Sequence, residues 1–517
     1  MPKQRRASKK SGNTRLAIAL LLAVLLVSSL SLAWISSQFT DSSGWPSFLV
    51  TLIISAALVW LTWRILRKEP LPGWLLWLTI AAALLRLALG VVWFLALPVG
   101  GYDTEVQQAG YVMEDAYNRD RAAWDLAQSN QPLLVSFQGY SSTDQYGGML
   151  FLSAAVYRYL GGAEHHPLLM LVLVATVSGL AVTFTWAFSR RIFGDKVARF
   201  AAWGLALYPE AVLLGSSQMR EAFTAFLVPL SLYALLRVRE KTTAATLALL
   251  AAPVLISIPL TWAFTPSLLL LLVLVYSALD EWRWLRSPRI WGGLLLLAIV
   301  AAVAFLLFVD EQGFWLVQSA RWQAYVNANA SGWVAREFER MPLFAQIPFL
   351  VLYGIFRPLL PAALVASGPP IWMAIGIWRA LGWTGLLALM VYASYLAVRS
   401  KQWRLAPSAL LLSSWAVSFA ASYRGGGDLW DSPRYRSAFA AVQVVLAAWA
   451  WMHYRETKDP WLRRAAGGAG VMIAWFLPWY LRRYANFDWP IVELYQVIGL
   501  GLVSATLFVM WDWLGQE

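Results

Sequence analysis

The feature that most constrains this chain is a succession of unbroken apolar runs. The first, LAIALLLAVLLVSSLSLAWI at 16–35, is apolar on every face. About 20 such residues cross a hydrocarbon core of about 30 Å, where every backbone polar group must be satisfied within the spanning structure, by a helix or a closed barrel. A barrel would show strand-length segments of alternating polarity, and these runs do not alternate. The expected fold is therefore all-α, a polytopic transmembrane helical bundle. Composition agrees: 59% of residues are hydrophobic and 13% charged, against roughly 45–50% and about 25% in soluble domains.

The net charge is +13, but lysine and arginine sit in short clusters between apolar runs, where positive-inside topology places them. A nucleic-acid partner is thereby disfavoured. The absence of cysteine excludes disulfides and thiolate metal sites, and three histidines, His165, His166 and His453, leave little for a zinc centre. MPKQRRASKK before the first run reads as the cytoplasmic end of an uncleaved signal anchor.

Parity of the basic clusters then fixes an expected topology. Residues 101–146, with seven acids against two bases, fall outside. MLFLSAAVYRYLGG at 149–162 is too short to cross and reads as an interfacial helix. The run at 343–365, with Arg357 and three prolines, reads as re-entrant or broken. About fourteen crossings follow on this counting, with both termini cytoplasmic.

The expected segments are 1–98, a tail and three transmembrane helices; 99–165, an extracytoplasmic loop with interfacial helices; 166–309, a transmembrane core; 310–370, a second outer loop with the re-entrant segment; and 371–517, the C-terminal transmembrane helices. Within the outer loops, EVQQAGYVMEDAYNRDRAAWDLA reads as a surface helix resting on the bilayer through its aromatics, and 313–341 as further interfacial helix.

Chemistry-bearing residues gather at the outer face. Tyr102, Asp103, Thr104 and Glu105 leave the third crossing, and a carboxylate at the edge of a membrane cavity suits proton abstraction from an acceptor; the alternative is a solvated loop acid. SSQMREAF places Arg220 and Glu221 at the start of a crossing, as a cavity-facing pair or a snorkelling one. GGGDLWDSPRYRSAF brings Arg434, Tyr435 and Arg436, and FRPLLP brings Arg357; guanidinium forks bind phosphate oxygens. His165 and His166 read as a polar turn before a helix, and Arg86 as an intramembrane charge whose partner the sequence does not reveal.

Taken in order, GGYDTEVQQAG, DQYGGMLFLSAAVYRYLGG, the stretch from HHPLLMLVLVATVSGL to YPEAVLLGSSQMREAF, and the late PRYRSAF resemble the GT-C glycosyltransferases. These multi-spanning enzymes use polyprenyl-phosphate sugars and include protein mannosyltransferases and aminoarabinose transferases. The convincing cover is roughly residues 99–240 plus the late element. One departure is that Thr104 separates the two loop acids, which leaves open which of them acts.

The resemblance implies a GT-C-like bundle that transfers a sugar from a polyprenyl-phosphate donor to a protein, lipid or glycan acceptor at the extracytoplasmic face of the cell membrane. It implies Asp103 or Glu105 as base and Glu221 as a second catalytic acid. Tyr102, Asp144, Tyr146, Arg220, Arg357, Arg434, Tyr435 and Arg436 would bind substrate. A divalent cation, Mg or Mn, could bridge phosphate and carboxylate, although the sequence does not require one. The alternatives are a transporter or flippase of lipid-linked sugars, and a polysaccharide polymerase or ligase.

Overall fold

The computed structural model describes residues 20, 22–138, 143–280, 334, 336, 337, 340–399, 406–425 and 431–515. The basic N-terminal tail, the apolar run at 290–309, most of the segment 313–341 and residues 426–430 of the late glycine-rich loop lie outside the described residues.

Among the described residues every regular element is helical. In chain order they are α1 (Leu22–Ser36), α2 (Trp45–Leu66), α3 (Gly73–Gly100), α4 (Glu105–Gln108), α5 (Glu114–Gln128), α6 (Gly148–Leu160), α7 (Pro167–Phe193), α8 (Asp195–Leu207), α9 (Pro209–Gly215) and α10 (Glu221–Glu240). There follow α11 (Ala244–Thr261), α12 (Thr265–Leu279), α13 (Leu343–Phe356), α14 (Leu360–Val365), α15 (Pro370–Arg399), α16 (Ala406–Arg424), α17 (Asp431–Arg436), α18 (Ala440–Thr457), α19 (Pro460–Ala485) and α20 (Leu494–Leu514).

Local chemistry sets several of the starts. Proline occupies the first turn of α2, α7, α15 and α19, where its missing N–H costs nothing. The Asp459 carboxylate caps α19 by accepting from Trp461 N–H at 3.0 Å.

Seven helices, α2, α3, α7, α10, α11, α15 and α20, are long and apolar enough to cross a membrane, so the protein is an integral membrane protein. The pair α8–α9, bent by 52° at Tyr208, would be an eighth crossing. The count by length and composition among the described residues is thus seven or eight, against the expected fourteen or so. Of the runs expected to cross, α12 folds as a helix of 15 residues, too short to do so, and 290–309 lies outside the described residues; α6 and α13, of 13 and 14 residues, were not expected to cross. Others are long but diluted: α16 carries five serines, and α19 carries Arg463, Arg464, Arg482 and Arg483.

The chain divides into two compact units. Unit 1 comprises Met1–Leu180, Leu213–Phe223 and Pro259–Trp262. Here α2 and α5 pack on α6, and α4 folds back on the end of α3. The long loop after α3 was expected to rest its aromatics on the bilayer. Instead α5 turns a buried face onto α6, formed by Ala116, Tyr117, Arg119, Asp120, Ala123, Leu126 and Ala127. The reason lies in the charges on that face: Arg119 and Asp120 find partners in protein and would find none in hydrocarbon.

Two glycines shape the entry to α6. Gly147 has φ 73°, and a side chain on Gly148 would collide with the Pro259 carbonyl oxygen at 2.1 Å.

Arg158 of α6 locks the far end of α5, donating to the carbonyls of Leu126 (2.5 Å), Ala127 (3.1 Å), Ser129 (2.9 Å) and Gln131 (2.9 Å). The first two are carbonyls that a helix C-terminus leaves open, and the other two belong to the cap and the loop that follows. Arg158→Gln is expected to remove amide protection over the last turn of α5, at a cost of about 1.5–3 kcal/mol. Hydrogen exchange of residues 124–131 reads it, and unchanged protection would refute the clamp.

Unit 2 comprises Ala181–Val212, Thr224–Ile258 and Ala263–Glu517. Here α18 packs on α8 and α15, α16 gathers α12 and α13, and α14 lies on α15 and α19. The run at 343–365 is two helices, α13 and α14, interrupted at Arg357–Pro358. α19 and α20 form a hairpin closed by Asp512 against Arg463 (2.5 Å) and Arg464 (2.9 Å).

Candidate active site

In unit 1 the exit of α3 is a tightly specified turn. Gly101 N–H bonds the Leu97 carbonyl at 2.8 Å, and Tyr102 N–H donates to Gln107 Oε1 at 2.5 Å. A side chain on Gly101 would strike the Leu97 carbonyl oxygen at 2.6 Å as well as Gln107 Oε1, and because the carbonyl is backbone and cannot swing away, the close approach requires glycine. Thr104 Oγ1 then accepts from Gln107 N–H at 3.4 Å and caps α4. The result leaves Tyr102 and Asp103 exposed on a braced loop.

Glu105 is differently placed. Its carboxylate accepts from Tyr117 Oη at 2.5 Å and from Arg121 Nη1 at 2.6 Å. The Tyr117 hydrogen bond, with the Arg121 charge beside it, holds its carboxyl below the usual range. The structure thus distinguishes the two loop acids, one engaged by a phenol and a guanidinium and one at the open edge of the turn.

The same unit holds a buried charge cluster. Asp144, fully buried in the turn before α6, accepts from Leu150 N–H at 3.0 Å and Tyr146 N–H at 3.4 Å. It also meets Arg220 Nη1 at 3.3 Å and Arg119 Nε at 3.7 Å. Arg220 in turn lies 3.9 Å from Glu221 Oε1, with its guanidinium carbon 4.7 Å above the Tyr146 ring. Burial lowers the pKa of Arg119, a shift that the Asp144 charge opposes.

The structure therefore brings four of the sequence-read residues together, Asp144, Tyr146, Arg220 and Glu221, and adds Arg119. Two carboxylates and two guanidinium groups balance there. Arg86 is also partnered, through Ser178 Oγ at 2.8 Å and the Ala82 carbonyl at 2.9 Å.

A second buried carboxylate, Asp120, escaped notice in the sequence. It accepts from Tyr111 Oη at 2.5 Å and from Tyr157 Oη, with His165 Nε2 2.8 Å away. The available signal was spacing: Asp120 and Arg119 share a helical face with Ala116 and Ala123.

Unit 2 carries the late arginines. Arg436 is 1% exposed and lies 3.3 Å from the centre of the Trp383 ring. Its guanidinium donates to the carbonyls of Gly354 (3.3 Å), Ile355 (3.2 Å) and Arg357, the open C-terminal acceptors of α13. The group expected to hold a phosphate is thus committed to backbone.

Arg434 and Arg357 are half-buried. Arg434 lies 5.1 Å from the Tyr435 ring centre and Arg357 5.7 Å from that of Tyr353. Arg424, which the sequence did not single out, sits 5.5 Å from the same Tyr435 ring. Deeper in this unit Arg379 and Glu210 form a bidentate pair, both contacts 2.7 Å.

The donor set does not suit a divalent cation. Asp144 and Glu221 face arginines, Glu105 is held by Arg121, and among the described residues no group of three or more acidic or histidine side chains could chelate one.

The fold and these sites define a polytopic helical membrane protein with buried ion pairs inside both units. No family model matches the sequence, and no curated relative does. Among solved structures the chain is similar to the archaeal oligosaccharyltransferase AglB from Archaeoglobus fulgidus in complex with an inhibitory peptide and a dolichol-phosphate. That match has 17% identity, 85% of this chain and 54% of that chain covered, and a TM-score of 0.36. Two further structures of the oligosaccharyltransferase from that organism are also similar. The apo form has 18% identity, coverage of 86% and 55%, and a TM-score of 0.39; the complex with Zn and sulfate has 17%, 84% and 53%, and 0.39. The chain spans about half the length of these proteins.

Proposed function

We propose that the protein is an inverting membrane glycosyltransferase that moves a sugar from a polyprenyl-phosphate donor to an acceptor at the extracytoplasmic face, with both termini in the cytoplasm. The observation that carries this reading is the braced turn at the exit of α3, which leaves Asp103 exposed in the same unit as a buried, charge-balanced cluster. Supporting side chains locked by packing and hydrogen bonds are what a catalytic rim requires.

In the proposed reaction the Asp103 carboxylate takes the proton of the acceptor. The acceptor atom bonds to the anomeric carbon as the bond from that carbon to the phosphate oxygen breaks, and the electron pair leaves on the prenyl phosphate. Glu105, occupied by Tyr117 and Arg121, keeps the turn in place. Tyr102, exposed beside Asp103, contacts the acceptor. Glu221, Arg220, Asp144 and Tyr146 support the rim from below. Within unit 2, taken by itself, Arg434 and Arg357 are the proposed phosphate-binding cations, with Tyr435 beside Arg434 and Arg436 holding the backbone on which Arg357 sits.

Reconstituted vesicles supplied with labelled polyprenyl-phosphate sugars test this. Asp103→Asn is expected to lower transfer by about 100-fold or more while leaving assembly intact. Undiminished transfer in that variant would remove Asp103 as base, and no transfer by the wild-type protein from any such donor would remove the function.

A further inference from the structure

The chain from the Asp103 rim to the start of α7 is continuous. Glu105 is held by the Tyr117 hydroxyl, whose ring meets that of Tyr111 edge-on at 5.4 Å. The Tyr111 hydroxyl donates to Asp120, as does that of Tyr157 from α6. Tyr111 N–H also bonds back to the Val106 carbonyl at 3.0 Å. The rim is thereby fastened to α5 through two phenols, and one of them depends on Asp120.

The third group at Asp120 is of another kind. His165 Nε2 lies 2.8 Å from Oδ2, but without hydrogen-bond geometry, so the contact is coulombic and its strength follows the charge on the ring. The ring is lodged between Trp124 (centroids 5.1 Å) and Tyr157 (5.2 Å), and the side chain keeps 27% of its surface exposed. Nε2 faces inward while part of the ring is open to solvent, and the aromatic walls hold it against the carboxylate.

The surrounding groups do not compete for this role. Burial and the Asp120 charge raise the pKa of Tyr111 and of Tyr157 well above the ordinary range, so both stay donors. Burial lowers that of His166, whose ring packs on Phe48, with Glu164 and Asp41 pulling the other way. The groups facing His165 are thus Asp120 and Trp124 from α5 and Tyr157 from α6, with Glu164 and His166 beside it in the chain.

We propose that His165 is a positioning residue for the Asp103 rim: its protonated ring completes the Asp120 cluster and tightens the turn, and its neutral ring loosens it. The inference rests on the proposed function only in naming Asp103 as what is positioned. The motion itself is read without any sugar transfer.

The absence of native cysteine allows a single nitroxide label at Gln108→Cys, an exposed site on α4. In lipid nanodiscs its mobility is recorded by electron paramagnetic resonance from about pH 5 to about pH 8, the interval in which an imidazole ordinarily changes charge.

The expected result is an immobilised component at the acid end that is lost toward the alkaline end. His165→Gln should lack it throughout, His165→Lys should retain it throughout, and His166→Gln should titrate as the parent does. A parent label that does not respond to pH, a response that survives in His165→Gln, or a His165→Lys label as mobile as that of His165→Gln would each overturn the proposal. A defect in transfer with these signatures intact would instead count against the assigned chemistry.

Discussion

Replacing Arg379 by leucine lowers the thermal midpoint steeply, and adding Glu210→Leu to the same chain restores most of it. The pair joins α15 to α9 by two 2.7 Å contacts between side chains that are 4% and 5% exposed. The helices also approach closely beside the pair: a side chain on Gly382 would meet the Pro209 ring at 2.5 Å.

An uncompensated charge in such a place costs about 3–5 kcal/mol, whereas exchanging a whole buried pair for apolar residues of similar size is often neutral. The order of midpoints should therefore be parent and double variant together, with Arg379→Leu and Glu210→Leu well below. Differential scanning fluorimetry in detergent reads it directly. Single variants that unfold with the parent would mean that solvent reaches the pair, and a double variant no better than the singles would mean that the charges do more than neutralise each other.

Pairs of this sort mark where sequence reading stopped. That runs such as 73–98 and 166–190 are helices followed from their length and lack of alternation, because hydrocarbon leaves few other choices. That 149–162 is too short to cross followed from its length. The partners of charged residues did not follow, since they are set by chain distance and not by local pattern. Glu210 and Arg379 lie 169 positions apart, and Asp144 and Arg220 lie 76.

Arg436 shows the limit most plainly. Its residue type and neighbourhood suggested a phosphate ligand, yet the Trp383 face and the carbonyls at the end of α13 occupy it. Residue type announces that a guanidinium needs acceptors; only the packing says whether they are oxygens of a substrate or of the backbone. The Asp103 turn was legible as a candidate because it left a crossing in an acidic loop. Its bracing by Gly101, Gln107 and Thr104 was missed although it spans only seven residues: Thr104 as the cap of α4 was a local signal, whereas the turn of the Gln107 side chain back onto Tyr102 N–H shows only in the packing.

Asp144→Ala should be the most damaging substitution in unit 1. The carboxylate is fully buried and meets two guanidinium groups, Arg119 and Arg220, while also accepting two backbone N–H groups at the entry to α6. Its removal leaves both cations facing one another, with Glu221 as the nearer counter-charge to Arg220. A loss of about 3–5 kcal/mol is expected from the broken ion pairs alone.

Asp144→Asn separates the parts of this effect. An amide oxygen can still cap the helix start, so the N–H bonds survive and only the charge is lost. Its midpoint should fall between those of the parent and Asp144→Ala, and adding Arg119→Gln should raise it by removing one of the stranded cations. If Asp144→Ala instead unfolds with the parent and loses only its dependence on donor concentration, the cluster is a binding surface and not the support of the rim.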